Sequence, residues 1–174
     1  PKISFFSVDD HNSDKTIQLV NTLSLDILLN VGSPRKMKKN LINSVLHGII
    51  NVHPGLLPQY RGCCAVEWAI YNNEKVGNTA HFINEEYDSG NIILSEWYKF
   101  PVDSDHKFIR SKVYYKGAIL AAKTLRHIFK NKIKPNDGIP QDNKISKYWN
   151  VIPDNKFSKV TKRLKDGKYK YQIL

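Results

Sequence analysis

The segment Asn51 to Gly62, NVHPGLLPQYRG, restricts the fold more than any other stretch of the chain. Pro54, Gly55, Pro58 and Gly62 fall close together in it. Each proline lacks a backbone donor and clashes with the preceding helical turn, so no regular helix passes through. The apolar run just before it, Gly48 to Val52 (GIINV), reads as a buried strand. A strand therefore runs into a rigid, irregular turn that carries Asn51 and His53 at its start. Taken singly, Asn51 suits an Asx turn and His53 a partly buried gap. Taken together, they could equally be side chains mounted for chemistry.

The surrounding pattern alternates strand and helix. Ile3 to Val8 (ISFFSV) has the β-branched and aromatic content of a strand. Asp14 to Leu23 carries apolar pairs at helical spacing, with Ser13 as its N-cap. Asp26 to Val31 (DILLNV) reads as a buried parallel strand closed by Gly32, Ser33 and Pro34, and Arg35 to Leu46 as a helix. Past Gly62, a short helix is expected over Ala65 to Tyr71. Two strands follow, Asn78 to Asn84 and Asn91 to Tyr98, joined by EEYDSG. A long helix starts near Ser104 and ends near Asn131, with Ile109, Val113, Leu120, Leu125 and Ile128 as its apolar stripe; Pro135 and Gly138 stop it. A loop around Tyr148 and Trp149 and a basic helix from about Asn155 to Leu164 complete the chain. This order predicts an α/β fold, a mostly parallel sheet with flanking helices. It divides into a core over residues 1–134 and a C-terminal extension over 135–174. The chain opens at Pro1 with no initiating methionine and reads as strand almost at once. The leading β-α-β unit of such a sheet is therefore expected to be missing.

With 174 residues, 41% hydrophobic and 25% charged, the chain has the profile of an ordinary globule. Its longest apolar runs fall far short of the roughly 20 residues needed to span a bilayer. Cys63 and Cys64 are adjacent, which suits neither an ordinary disulfide nor a CxxC metal site. Together these features point to a reduced, cytoplasmic protein. The formal net charge is +11, concentrated in Arg35 to Lys39 (RKMKK) and in a tail from Lys156 to Lys170. A basic tail can bind polyanions. No zinc finger, RNA-recognition or helix-turn-helix pattern accompanies it, so a solvated helix face explains it as well, and a nucleic-acid partner is not expected.

Ligands of open parallel sheets bind outside the carboxyl ends of the strands, where Asn51 and His53 fall. Asp88 occupies a second turn, followed by Ser89 and Gly90. Histidine acts as a general base near neutral pH, and a carboxylate orients it and stabilises its charged form. An asparagine NH₂ donates to a developing oxyanion. Asn51, His53 and Asp88 thus suit acyl transfer or hydrolysis without a protein nucleophile. His81 and the two cysteines match no common zinc spacing with His53, so no metal is expected.

The combination of NVHPGLLPQYRG with HFINEEYDSGNIIL closely resembles the folate-dependent formyltransferase family. Asn51, His53, Pro54, Leu56, Leu57, Pro58 and Gly62 meet its first motif, with Gly55 where serine is usual. Asp88, Gly90, Ile92 and Leu94 meet its second. The likeness runs from about Ile3 to Ile128. It implies a Rossmann-like formyltransferase fold and 10-formyltetrahydrofolate as the formyl donor. It assigns Asn51 to the oxyanion, His53 to the amine proton and Asp88 to holding His53 and relaying the proton. One wall of the folate pocket would be Pro34, Arg35, Lys36 and Met37, the other Asn84, Glu85, Glu86 and Tyr87. His81 falls where some members also keep a histidine. The change from serine to Gly55 is expected to matter little.

Among acceptors, the stretch HPGLLPQYRG and the later YWNVIP look most like the sugar N-formyltransferase branch. The implied partner is a nucleotide-linked amino sugar, of dTDP type, contacted by Gly62, Tyr148 and Trp149. Methionyl-tRNA and glycinamide ribonucleotide are the alternative acceptors. A polyanion-binding module with a decayed site is the non-enzymatic alternative, though it would not need Asn51, His53 and Asp88 together. A homodimer is one assembly the sequence allows.

Overall fold

A computed structural model describes residues 3–33 and 35–173. Helix α1 (Asp14–Thr22) begins where expected, with the Ser13 hydroxyl accepting the Thr16 amide. Strand β1 (Leu28–Asn30) follows, then α2 (Lys39–Ile42), β2 (Ile49–His53) and the short β3 (Arg61–Gly62). Helix α3 (Ala65–Tyr71) leads to β4 (Val76–Phe82), β5 (Ile92–Tyr98) and β6 (Phe100–Pro101). Helix α4 (His106–Asn131) is the longest element, capped by Asp105. A 3-10 turn (Pro135–Asp137), β7 (Tyr148–Trp149), α5 (Asp154–Lys165) and β8 (Gln172–Ile173) end the chain. No described helix is long and apolar enough to cross a membrane.

The main sheet has the order β1-β2-β4-β5. Only β1 and β2 are parallel; β2 with β4 and β4 with β5 are antiparallel, so the sheet is mixed where a mostly parallel one was expected. The turn after Phe82 makes β4 and β5 an antiparallel pair, and β4 itself returns against β2. Both faces are covered along β2: Ile49 packs with Val20, Leu41 and Val45, while Ile50 packs with Phe82, Ile93 and Ile128. That two-sided burial is why β2 reads as an unbroken apolar run. Ile109, Val113, Leu120 and Ile128 turn inward from α4 as their spacing predicted. A third cluster joins α3 to α5 through Trp68, Ile70, Val160, Leu164 and Tyr169.

Four expected elements differ. Ile3 to Val8 forms no strand; no described strand pairs with it, and Phe5 is 88% exposed. A β-rich composition needs a neighbouring strand to satisfy its backbone. β1 is parallel as predicted, but it lies at the sheet edge and is half exposed rather than buried. The helix expected over Arg35 to Leu46 shrinks to the single turn of α2. The backbone before it is engaged elsewhere: the Asn12 amide donates to the Lys36 carbonyl and accepts the Lys38 amide. The Tyr148–Trp149 segment, expected as loop, forms a parallel bridge to Arg61–Gly62.

Candidate active site

Register brings the first group of side chains together. Asn30, Asn51 and His81 are direct neighbours across β1, β2 and β4. They form a directional relay. The Ser33 amide donates to Asn30 Oδ1, and Asn30 Nδ2 donates to Asn51 Oδ1 at 3.3 Å. Asn51 Nδ2 donates to His81 Nε2 at 3.2 Å, and His81 Nδ1–H donates to the Phe82 carbonyl at 2.8 Å. A carbonyl can only accept, so the last bond fixes the His81 tautomer and leaves Nε2 as an acceptor. Burial holds His81 neutral by pulling its pKa from 6.5 down to about 4, with the Asp88 charge pulling the other way. The relay therefore fixes which end of the Asn51 amide is NH₂. One Asn51 N–H is spent on His81; the other has no protein partner among the described residues, and Asn51 lines a cavity.

His53 ends β2 and is 4% exposed. Its Nε2–H donates to the Tyr60 carbonyl at 2.6 Å, across the turn containing Pro54, Gly55 and Pro58. Nδ1 is left as the basic nitrogen and faces Asp88 Oδ1 at 3.5 Å. Here the prolines and glycines of the turn find their use. A Cβ on Gly55 would sit 2.8 Å from both His53 Nε2 and the Tyr60 carbonyl, and 2.7 Å from the Ala65 Cβ. Position 55 is thus closed to side chains in this packing, which makes the glycine more consequential than the sequence suggested.

Asp88 adopts a left-handed backbone conformation, φ +50°, a region few residues other than glycine, asparagine and aspartate tolerate. Its Oδ2 accepts the Gly62 amide at 2.8 Å, while Oδ1 lies 3.5 Å from His53 and 3.7 Å from His81. Gly62 itself needs φ +90°, and a Cβ there would meet the Trp149 carbonyl at 2.4 Å. Asn51, His53 and Asp88 are brought together as the sequence predicted.

Beside them opens a cavity of about 530 Å³, within the ordinary range for small-molecule sites. Arg35, Lys36, Met37, Asn84, Glu86 and Tyr87 all line it, so the two predicted walls face one another. Lys36 Nζ reaches Glu86 Oε2 across the rim at 3.1 Å and lies 5.2 Å from the centre of the Tyr87 ring. Glu85 instead lines a neighbouring cleft with Lys39 and Lys134. Pro34 lies outside the described residues. Of the predicted acceptor contacts, Gly62 spends its amide on Asp88. Trp149 is packed against Tyr60 and Trp68 and donates Nε1–H to the Gln59 carbonyl. Tyr148 is 52% exposed. Its ring lies against Gly62, with Cζ 2.9 Å from where a Cβ there would sit, and burial raises its phenol pKa, with Cys63, Asp88 and Tyr87 adding to the shift.

Sequence reasoning missed Asn30, Arg61 and Gln141. Asn30 had a readable signal, a polar residue closing an apolar strand at the same sheet end as Asn51. Gln141 had none, since it comes from a loop 53 positions beyond Asp88 in sequence.

A family model for formyl transferases matches residues 5–121, and the chain belongs to that family. It is 30% identical to the methionyl-tRNA formyltransferase of Clostridium tetani over 122 residues, 70% of this chain and 39% of that protein. The chain thus spans less than half the length of such curated relatives. A 4-N formyltransferase structure from Francisella tularensis is 28% identical, with a TM-score of 0.62 over 83% of this chain and 64% of that one. The formyltransferase PseJ from Anoxybacillus kamchatkensis, solved with UDP-4,6-dideoxy-4-formamido-L-AltNAc and tetrahydrofolate, shares the fold at a TM-score of 0.67. Its identity is 20%, covering 84% of this chain and 72% of that one.

Proposed function

We propose that this formyl transferase family chain carries the catalytic core of a folate-dependent N-formyltransferase acting on the amine of a nucleotide-linked amino sugar. One observation carries the reading: a fixed N–H donor on Asn51 and the Asp88 carboxylate line one cavity, and the His53 imidazole nitrogen lies 3.5 Å from that carboxylate. The cavity suits a reduced folate, with Leu29, Met37 and Ile83 offering apolar surface and Arg35 and Lys36 offering cations to its carboxylates. When bound, 10-formyltetrahydrofolate supplies an electrophilic formyl carbon.

The chain's own residues supply the rest. The free Asn51 N–H donates to the formyl oxygen as negative charge grows on it; removing such a donor typically costs about 2.7–4 kcal/mol of barrier. His53 Nδ1 receives the proton that the attacking amine gives up, because Nε2 is committed to Tyr60. Asp88 stabilises the resulting imidazolium from 3.5 Å and passes the proton onward to the departing nitrogen. Tyr148 offers an exposed ring on which a nucleotide base could stack, and the PseJ structure, solved with a UDP-linked formamido sugar, supports that acceptor class. Cys63 and Cys64 are free thiols, which supports a reducing, cytoplasmic setting.

A second reading has methionyl-tRNA as acceptor. It is favoured by the curated relatives and the +11 charge. The test is folate-dependent formylation of a dTDP-linked amino sugar by the intact protein. His53→Asn should lower turnover by about 10²–10⁴-fold with circular dichroism unchanged. Unchanged turnover in that variant would refute the role of His53. Thermal stabilisation by dTDP supports the sugar reading, and stabilisation by tRNA alone sinks it.

A further inference from the structure

Asp88 is held by more than its own turn. Gln141 Nε2 donates to two carbonyls, that of Asp88 at 2.9 Å and that of Gly90 at 2.8 Å, and so spans the turn. Gln141 Oε1 accepts from Arg61 Nε at 3.0 Å and Arg61 Nη2 at 2.8 Å. Arg61 directly precedes Gly62, whose amide grips Asp88 Oδ2. The bonds close a ring in which one side chain fixes both the Asp88 backbone and the strand that holds its carboxylate. Arg61 is partly buried, and its guanidinium also donates to Asn143 Oδ1 at 3.3 Å. The turn has little freedom to adjust by itself: a Cβ on Gly90 would lie 1.9 Å from the Phe82 carbonyl. Gln141 lies beyond the family-matched residues 5–121 and was singled out by no motif.

We propose that Gln141, acting through Arg61 and the carbonyls of Asp88 and Gly90, is a positioning residue for Asp88. The C-terminal segment thereby completes the reaction site instead of merely covering the core. The catalytic part of this inference rests on the formyl-transfer reading above. The clamp positions the carboxylate against His53 Nδ1, so its loss should act on the proton-transfer step and not on folate binding. A displacement of about 1 Å at a reacting group can cost on the order of 10²-fold in rate.

The experiment compares wild type with Gln141→Ala and with Gln141→Met, which keeps the side chain's length without its hydrogen bonds. Amide hydrogen exchange at Gly62, read by NMR, reports the carboxylate grip without any substrate. In both variants it should quicken by roughly tenfold or more while Ile50 in β2 stays protected. Turnover should fall about 10- to 100-fold with KM for the folate donor within about twofold. Unchanged Gly62 exchange, or exchange that quickens equally at Gly62 and Ile50, overturns the proposal. So does quickened Gly62 exchange with undiminished turnover in an active protein. If the wild type transfers no formyl group, the functional reading fails, and the exchange measurement still decides whether Gln141 positions Asp88.

Discussion

The floor of the cavity and its rim are held by different forces. On the floor, Asn51, His81 and Asp88, with His53 packed against Asp88, are largely buried, and each is fixed by hydrogen bonds to backbone or to another fixed side chain. On the rim, Arg35, Lys36, Glu86 and Tyr87 are exposed and joined by the single ion pair Lys36–Glu86. A buried polar group that loses its partner costs about 1–3 kcal/mol, whereas an exposed ion pair contributes about 0–1 kcal/mol. The floor therefore keeps one geometry, which proton transfer needs. On the rim, the Lys36–Glu86 pair contributes little to holding its two side chains in place.

The sharpest way to break this contrast is to charge the floor. His81 has its pKa depressed from 6.5 to about 4 by burial, so the unfolded chain binds a proton more readily than the folded one between those values. Its contribution is fully present above pH 6.5 and is lost as pH falls toward 4. The whole shift corresponds to about 3 kcal/mol. Urea unfolding at pH 7 and pH 5 should show the wild type losing stability across this window and His81→Asn losing clearly less. Equal losses would mean that the floor's acid sensitivity lies elsewhere.

Next in size is the space under the turn. Gly55→Ser should cost about 1–3 kcal/mol of stability, the usual range for overpacking. It should also lower turnover, because the added Cβ presses on His53 Nε2 and the Tyr60 carbonyl. A variant as stable and as active as wild type would show that this part of the floor yields like the rim. The smallest effect is expected at the rim itself. Lys36→Met should change the unfolding free energy by less than about 1 kcal/mol. It should weaken folate binding by no more than several-fold, readable by fluorescence titration. A loss of turnover rivalling that of His53→Asn would erase the distinction.

Much of this was legible before any coordinates. The proline- and glycine-rich turn marked the site; β2, α3, α4 and α5 lie where the apolar pattern and breaker residues put them, and α1 starts at its Ser13 cap. Buried elements announce themselves because their neighbours are apolar whatever the detailed packing. The edge was harder to read. Ile3 to Val8 and DILLNV have strand-forming side chains, but ladder pairing and burial depend on neighbours that composition does not specify. Likewise the lysine-rich stretch before α2 looked helical, yet Asn12 engages its backbone from 24 and 26 positions away.

What the sequence determined by itself was the set of reactive groups and the rigid turn that carries them, since residue chemistry and proline sterics are local properties. The tertiary structure alone decided how those groups are aimed. Asn51 is oriented by Asn30 and His81 through strand register, His53 by the Tyr60 carbonyl, and Asp88 by Gly62 and Gln141. Except for the His53–Tyr60 bond, which lies within the turn, these bonds join residues 21 to 53 positions apart; they follow from how strands align and loops return, and no local pattern encodes them.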